Sequence, residues 1–283
     1  MAISGKARLA GVIGWPVGHS KSPALHSYWI AKHGLDAAYV PLAVRPERLK
    51  DALTGLVALG FAGANLTIPH KQAALALLDD ITPTAARIGA VNTLFIDANG
   101  RITGTNTDAF GFLANLKHAV TGFDGAGAAV VIGAGGAARA ACVALIDAGC
   151  ASISVINRTA ARAEALAADL GGPVRVVPWA GRAAALGNAA LLVNTTSLGM
   201  TGQPPLDLDL KALPAGAVVN DLVYSPLETP LLAAARRSGN PVVDGLGMLL
   251  YQAQAGFAGW FGVTPEVTAD LRAHVMNADV LTS

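Results

Sequence analysis

Short apolar runs alternate with amphipathic or alanine-rich segments along almost the whole chain. An alternation of strand-length and helix-length segments is typical of βαβ units, which build parallel sheets. In the first part of the chain this pattern predicts strands over 8–14, 38–43 and 62–67, with helices over 22–33 and 46–59. Further on, Asn99 and Gly100 predict a hairpin between strands at 91–96 and 101–104.

The middle of the chain repeats the pattern with six more short apolar runs. They predict strands over 129–132, 153–156, 174–177, 190–193, 217–220 and 242–243. Six such strands with helices between them fit a doubly wound Rossmann sheet, whose ligands bind at the carboxyl ends of the strands. Two last helices, over 246–261 and 265–277, have no strand after them, and we expect them to return to the first domain.

The predicted fold class is therefore α/β with two domains. An N-terminal α/β domain comprises 1–107 and 245–283, and a Rossmann-type doubly wound domain comprises 108–244. The glycine-rich stretch 122–127 and the segment 244–247 are interpreted as hinge crossings.

A glycine-rich turn interrupts the first apolar run of the second domain. The run ends at Ile132, and the spacing of Gly133, Gly135 and Ala138 then matches G-x-G-x-x-A. Glycines allow the sharp bend and the close approach of a ligand, and the free N–H groups of the following helix attract an anion. The turn therefore predicts a dinucleotide pyrophosphate site.

The end of the next strand indicates which dinucleotide is bound. Asn157 lies 22 residues after Gly135, where an NAD enzyme usually carries Asp or Glu, and Arg158, Thr159 and Arg162 follow. Guanidinium groups bind a 2′-phosphate by charge-assisted hydrogen bonds, so we predict NADP(H). In the alternative interpretation the arginines are solvated surface charges and Thr159 is a helix N-cap.

Composition narrows the class of protein. The formal net charge is +1 and no long basic run occurs, which argues against nucleic acid as a partner. No stretch resembles a membrane span, glycines and Pro16 interrupt any N-terminal signal sequence, and the six histidines show no metal-ligand spacing. We expect Cys142 and Cys150 to be buried and reduced, no metal, no membrane partner, and a cytoplasmic location.

Polar segments follow the strands of the first domain, where small ligands bind. These segments are 19–23, 65–71, 90–93 and 104–108, and they suit a small polyhydroxylated molecule with a carboxylate. Lys71 could exchange a proton with a substrate oxygen, and Asp108 could orient its ammonium group. Alternatively, Lys71 is a solvated charge, Asp108 caps a helix, and Ser22 is an N-cap before Pro23.

Several longer motifs identify a family. In order along the chain they are GWPVGHSKSP (14–23), NLTIPHK (65–71), GAVNT (89–93), GTNTD (104–108), GAGGAAR (133–139), NRT (157–159), NTTSLGM (194–200), DLVYSPLETP (221–230) and DGLGMLLYQA (244–253). With these motifs the chain resembles the shikimate dehydrogenases. The resemblance implies reversible, NADPH-dependent reduction of 3-dehydroshikimate to shikimate, with Lys71 as general acid/base paired with Asp108.

The resemblance also implies the binding residues. Those expected to hold the substrate are Ser20, Ser22, Thr67, Asn92, Asp108, Tyr224 and Gln252. Those expected to hold the cofactor are Gly133, Ala134, Gly135, Gly136, Ala137, Asn157, Arg158, Thr159, Arg162, Thr195, Leu222, Gly245 and Met248. Pro83 departs from the acidic residue that many relatives carry near the cofactor.

Three alternatives stay open at this point. The chain could be a quinate/shikimate dehydrogenase, an aminoshikimate-type relative, or a non-catalytic NADP-binding sensor of the same fold. Met248 and Gln252 share one helix face and could belong to the core, although a glutamine on an apolar face needs a polar partner. Both a monomer and a homodimer fit the sequence.

Overall fold

The chain divides into two compact units in a computed structural model that describes residues 3–278. The first unit is Met1–Thr107 with Leu250–Ser283, and the second unit is Asp108–Leu249. The chain thus leaves the first unit after Thr107, and it returns five residues later than the predicted return at 245.

Among residues 3–278, the first unit contains six strands and six α-helices, and the last two helices follow the second unit in the sequence. Its strands are β1 (Arg8–Gly14), β2 (Ala37–Ala43), β3 (Gly63–Leu66), β4 (Asp80–Ile81), β5 (Thr93–Ile96) and β6 (Ile102–Thr105). Its helices are α1 (Ser22–Lys32), α2 (Leu49–Ala58), α3 (His70–Ala73) and α4 (Pro83–Ile88), with most of α9 (Leu246–Phe261) and α10 (Ala269–Asn277).

The sheet of the first unit has the strand order β2-β1-β3-β5-β6-β4. Strand β1 is parallel to both β2 and β3, as the βαβαβ pattern predicts, and β5 and β6 form the predicted hairpin, in which β5 is antiparallel to β3. Because β5 runs opposite to β3, its beginning lies beside the end of β3, where Asn65 pairs with Thr93. No strand was predicted at β4, because Asp80 and Ile81 do not form an apolar run, unlike the equally short run at 242–243.

Buried side chains cover both faces of this sheet. On one face Leu53 and Leu56 of α2 pack with Ile13, Leu66 and Leu94. A second group is aromatic: Trp29, Phe257 and Trp260 are fully buried, and the Trp260 indole N–H donates to the Leu94 carbonyl at 2.8 Å. The C-terminal helices therefore complete the core of the first unit.

The second unit contains six strands, with helices in the connections. Its strands are β7 (Ala128–Ile132), β8 (Ser152–Ile156), β9 (Val174–Val176), β10 (Leu191–Asn194), β11 (Val218–Asp221) and β12 (Val242–Val243). Its helices are α5 (Asp108–Ala119), α6 (Gly136–Asp147), α7 (Ala160–Leu170), α8 (Pro230–Arg237) and the first turn of α9.

The strands of the second unit are all parallel, in the order β12-β11-β10-β7-β8-β9. This is the Rossmann order read from its far edge, which confirms the predicted doubly wound sheet. Successive side chains of β7 enter different cores: Val131 packs with α5 and α6, whereas Val130 and Ile132 pack with Leu231 and Leu232 of α8. Helices thus cover both faces of the sheet.

Two expectations about local structure were wrong. Ser22 is not the N-cap of α1 but its first residue, because the helix begins one residue earlier, with Lys21 at the cap position and no side-chain cap. The glycine-rich stretch 122–127 is not a boundary between units but lies within the second unit. The reason is that Phe112 and Leu116 of α5, which precedes this stretch, belong to the core of the second unit.

Candidate substrate and cofactor sites

The first unit brings together polar residues at one edge of its sheet. Ser20 lies half-buried in the loop after β1, and its hydroxyl accepts the backbone N–H of the buried Ser22 at 3.3 Å. Thr67 follows β3 and is half-buried, and Lys71 follows in α3, also half-buried. Two of the polar segments that the sequence analysis selected, 19–23 and 65–71, therefore lie at the ends of neighbouring parallel strands.

Asn92 is the centre of a buried hydrogen-bonded cluster in this unit. Its Oδ1 accepts the Thr107 backbone N–H and the Thr93 hydroxyl, both at 2.9 Å. Its Nδ2 donates to Thr107 Oγ1 at 3.0 Å and to Gln252 Oε1 at 3.2 Å. Asn92 and Gln252, 160 residues apart in sequence, are thus in direct contact, and their contact with a substrate stays a prediction.

The two residues predicted to share one face of α9 lie in different surroundings. Gln252 has protein partners for its amide oxygen, Asn92 and Thr107, which meets the need that its position predicted. Met248 is only 7% exposed and packs in the core of the second unit, which agrees with the alternative interpretation as core. Contact between Met248 and the cofactor stays a prediction.

The glycine turn of the second unit forms the bend that the fingerprint predicts. Gly133 has φ +119°, and a Cβ there would stand 2.3 Å from Thr195 Oγ1, so only glycine fits. Thr195 in turn donates its hydroxyl to the Ile132 carbonyl at 2.7 Å. Gly135 stands at the N-cap of α6, is exposed, and has open space where a Cβ would be. The turn therefore leaves room for a group at the helix N-terminus.

The end of β8 carries the candidate 2′-phosphate group. Asn157 Nδ2 donates to the Thr159 carbonyl at 2.9 Å and so fixes the turn. Thr159 is the N-cap residue of α7, as the alternative interpretation has it, although its side chain accepts no cap hydrogen bond. Arg158 and Arg162 are exposed, and within residues 3–278 no hydrogen bond or ion pair engages either guanidinium group.

Asp221, at the end of β11, was not singled out from the sequence. Its carboxylate is fully buried and accepts hydrogen bonds from Asn194 Nδ2 at 2.9 Å, the Val223 N–H at 3.0 Å and the Thr229 hydroxyl at 2.6 Å. These hydrogen bonds connect the end of β10, the loop after β11 and the N-cap of α8. Thr195 follows β10 and Leu222 follows β11, and both are expected along the cofactor.

The pKa of Asp221 predicts a pH dependence of stability. Burial raises this pKa to about 6, against the opposing hydrogen bonds from Thr229, Val223 and Asn194. Because the unfolded chain releases this proton at lower pH, the free energy of unfolding falls as pH rises, by about 2 kcal/mol between about pH 4 and pH 6.

Urea unfolding of wild type and Asp221→Asn across this pH range measures the effect. The variant lacks the ionisation, so its stability should rise relative to wild type as pH increases. Asp209→Asn, an exposed change in the same unit, should follow wild type. A stability difference between Asp221→Asn and wild type that does not change with pH would contradict this account.

The remaining predicted residues of the second unit lie at its strand ends and at its first helix. Asp108 is the first residue of α5 and is buried, and Tyr224 is half-buried after β11. Gly245 lies so close to Leu222 that a Cβ there would stand 2.2 Å from the Leu222 carbonyl oxygen. Lys71 belongs to the first unit and Asp108 to the second, and their pairing stays a prediction.

No individual role was predicted for two further buried polar residues of the first unit, although Asn65 begins the selected segment 65–71. Asn65 lies in β3 and Tyr39 in β2, and the Tyr39 hydroxyl donates to Asn65 Oδ1 at 2.6 Å. A polar residue inside an apolar strand was the available signal, since such a residue must find a buried partner.

Neither a membrane-spanning helix nor a metal-ligand cluster occurs among residues 3–278. No helix in this range is both long and apolar enough to cross a membrane, and no cluster of His, Cys, Asp and Glu in it could hold a metal ion.

Comparison with known proteins shows the family. The family model described as shikimate dehydrogenase substrate binding domain matches residues 12–94, and the one described as shikimate / quinate 5-dehydrogenase matches residues 117–199. A similar curated relative is shikimate dehydrogenase (NADP(+)) of Rhodospirillum rubrum, 58% identical over 97% of this chain and 99% of the relative.

Solved structures agree with this result. Shikimate 5-dehydrogenase of Thermus thermophilus, in complex with NADP(H) and shikimate, has a TM-score of 0.85 and 40% identity, covering 96% of this chain and 99% of that one. Quinate dehydrogenase of Corynebacterium glutamicum, in complex with NAD, has a TM-score of 0.88 and 33% identity over 96% and 99%. The resemblance drawn from the motifs is thereby confirmed, and this chain belongs to the shikimate dehydrogenase family.

Proposed function

We propose that this chain catalyses the reversible, NADPH-dependent reduction of 3-dehydroshikimate to shikimate. The observation that carries the proposal is 58% identity, over nearly the full length of both chains, to a relative named shikimate dehydrogenase (NADP(+)). Lys71 and Asp108, which the proposed chemistry requires, are both present. The proposed place of this reaction is the biosynthesis of aromatic amino acids, in the cytoplasm, by a monomer or homodimer.

In this proposal the polar edge of the first unit holds the substrate. Ser20 and Ser22 bind the carboxylate end, and Thr67, Asn92, Asp108 and Gln252 bind the ring hydroxyls. Tyr224 is assigned to the carboxylate. The contact between Asn92 and Gln252 supports this assignment, because their amides already lie within 3.2 Å of each other. A substrate hydroxyl can then both donate to and accept from side-chain amides.

Lys71 performs the proton transfer. When bound, NADPH supplies the hydride to the ketone carbon. The Lys71 ammonium donates a proton to the ketone oxygen as negative charge develops there, and in the oxidative direction the neutral amine takes that proton back. Asp108 orients the ammonium group.

The residues of the second unit fit NADP(H). The open space at Gly135 lets a pyrophosphate approach the N–H groups at the start of α6, whose dipole also favours an anion. Asn157, Arg158, Thr159 and Arg162 contain no carboxylate, and the exposed guanidinium groups are available to a 2′-phosphate. Thr195, Leu222 and Gly245 lie along the cofactor towards the nicotinamide.

A turnover assay separates an enzyme from a sensor of the same fold. Shikimate and NADP are mixed with the protein, and the absorbance of the reduced nicotinamide is followed. We expect it to rise steadily, with many turnovers per protein molecule. Cofactor binding without any absorbance change on addition of shikimate would favour the sensor.

Replacing Arg158 by alanine is expected to weaken the enzyme's use of NADP selectively. A hydrogen bond to a charged group contributes about 1.5–3 kcal/mol, so the KM for NADP should rise about tenfold or more. The KM for NAD, which lacks the 2′-phosphate, should change little. Steady-state kinetics with both cofactors measure this difference, and Arg237→Ala, an exposed change in the same unit, is the control. Equal effects on the two cofactors would contradict the assignment.

A quinate/shikimate dehydrogenase is the second candidate function. It is favoured by the similarity to the quinate dehydrogenase that was solved with NAD. The absence of an acidic residue at 157–159 argues against NAD as the preferred cofactor of this chain.

A further inference from the structure

Tyr39 lies beneath the substrate residues without being one of them. It belongs to β2, is 4% exposed, and donates its hydroxyl to Asn65 Oδ1 at 2.6 Å. Burial raises the pKa of Tyr39 well above its usual value, and a hydrogen bond from the Ser22 side chain opposes that rise. The phenol oxygen is therefore buried in hydrogen-bonding contact with Asn65.

Asn65 carries this contact on to the amide cluster. Its Nδ2 donates to the Asn92 carbonyl and to Thr93 Oγ1, both at 3.1 Å. Thr93 donates in turn to Asn92 Oδ1 at 2.9 Å. A continuous buried chain of hydrogen bonds thus leads from Tyr39 through Asn65 and Thr93 to Asn92, which is assigned to the ring hydroxyls of the substrate.

Aromatic packing fixes the phenol ring. The His26 ring stacks on Tyr39, with centroids 4.0 Å apart and planes inclined by 13°. His26 is fully buried, and neither of its ring nitrogens has a hydrogen-bond partner among the described residues. Burial lowers the pKa of His26 to about 3, against the opposing effect of the nearby Asn65 side chain, so the ring is neutral and acts as a flat packing surface.

We propose that Tyr39 is a positioning residue for the substrate. Its hydroxyl fixes the Asn65 amide, so that Asn92 is preorganised for the ring hydroxyls of the substrate. This inference rests on the proposed function, because it assigns Asn92 to a substrate. Without the hydroxyl, Asn65 Oδ1 loses a short hydrogen bond and the amide can turn.

Tyr39→Phe tests the proposal, because it keeps the ring and its stacking on His26 and removes one oxygen. We expect the KM for shikimate to rise about tenfold, the loss of about one buried hydrogen bond. The kcat should stay within about threefold, and the KM for NADP should not change, since binding of the substrate and not the chemistry is affected. Tyr28→Phe, the same change at a half-buried residue of α1, should match wild type.

A double-mutant cycle then tests the coupling to Asn92. In the Asn92→Ala background, Tyr39→Phe should raise the KM for shikimate by clearly less than it does alone, because the chain is already broken. Fully additive effects would overturn the proposed coupling. If Tyr39→Phe is too unstable to assay, Asn65→Ala interrupts the same chain, and an unchanged KM for shikimate there would equally overturn it.

Assays of the wild-type protein distinguish failure of the proposed function from failure of the proposed role of Tyr39. If wild type does not oxidise shikimate, the proposed function fails. If wild type is active and Tyr39→Phe has the wild-type KM for shikimate, only the role of Tyr39 fails.

Discussion

Replacing Lys71 by alanine is expected to lower kcat by about 10²- to 10⁴-fold, the usual contribution of a general acid–base group. The KM for shikimate should change much less, because Lys71 interacts most strongly with the charge that develops on the substrate oxygen in the transition state. Steady-state kinetics in the direction of shikimate oxidation measure both constants.

The control for this change is Lys32→Ala. Lys32 is an exposed lysine in the last turn of α1, so its replacement removes the same charge from the same unit without touching the site. Small primary amines added to Lys71→Ala should restore part of kcat, since they can supply the missing proton. An unchanged kcat in Lys71→Ala would exclude Lys71 as the acid/base.

Replacing Gly135 by alanine is expected to weaken NADPH binding by about 100-fold while leaving the fold intact. Gly135 has φ −90° and ψ −171°, which alanine adopts without strain, and its Cβ would meet no atom of the protein within 4 Å. The added methyl group would instead occupy the space where the pyrophosphate approaches the backbone at the start of α6. Fluorescence titration with NADPH measures the affinity, and thermal melting without cofactor measures stability.

Two other glycines make this experiment specific. Gly187→Ala is the matched control, because Gly187 also has open space at its Cβ position and lies in the same unit, so both readouts should match wild type. Gly133→Ala should lower the melting temperature even without cofactor, because its Cβ would collide with Thr195 Oγ1. Wild-type NADPH affinity in Gly135→Ala would contradict the assignment of this turn to the pyrophosphate.

The fold was largely predictable because strong local signals determine it. The apolar runs of the second unit mark its six strands, and Thr229 followed by Pro230 predicts the start of α8, where the Thr229 hydroxyl accepts the Leu232 N–H. The motifs also predicted which family the chain belongs to. Local signals were ambiguous at Ser22, where a serine before proline favours an N-cap, whereas Ser22 is the first residue of the helix and is buried.

Buried polar contacts between distant segments could not be predicted in the same way. The Asn92–Gln252 contact joins residues 160 positions apart, and nothing near either residue specifies the other. In the sequence Asp221 is only the polar end of an apolar strand, but its carboxylate accepts hydrogen bonds from the end of β10, the loop after β11 and the N-cap of α8. Tyr39 resembles any other strand residue in the sequence, because its proposed role depends on a hydrogen bond to a side chain of β3.

Initial rates with four pairings, shikimate or quinate with NADP or NAD, test the proposed specificity for substrate and cofactor. We expect turnover largely confined to shikimate with NADP, because Arg158 and Arg162 are proposed to bind the 2′-phosphate and the chain belongs to the shikimate dehydrogenase family. Comparable turnover of quinate, or a preference for NAD, would contradict the proposed specificity while leaving the role of Lys71 intact. No turnover with any pairing, despite cofactor binding, would contradict the proposed function itself.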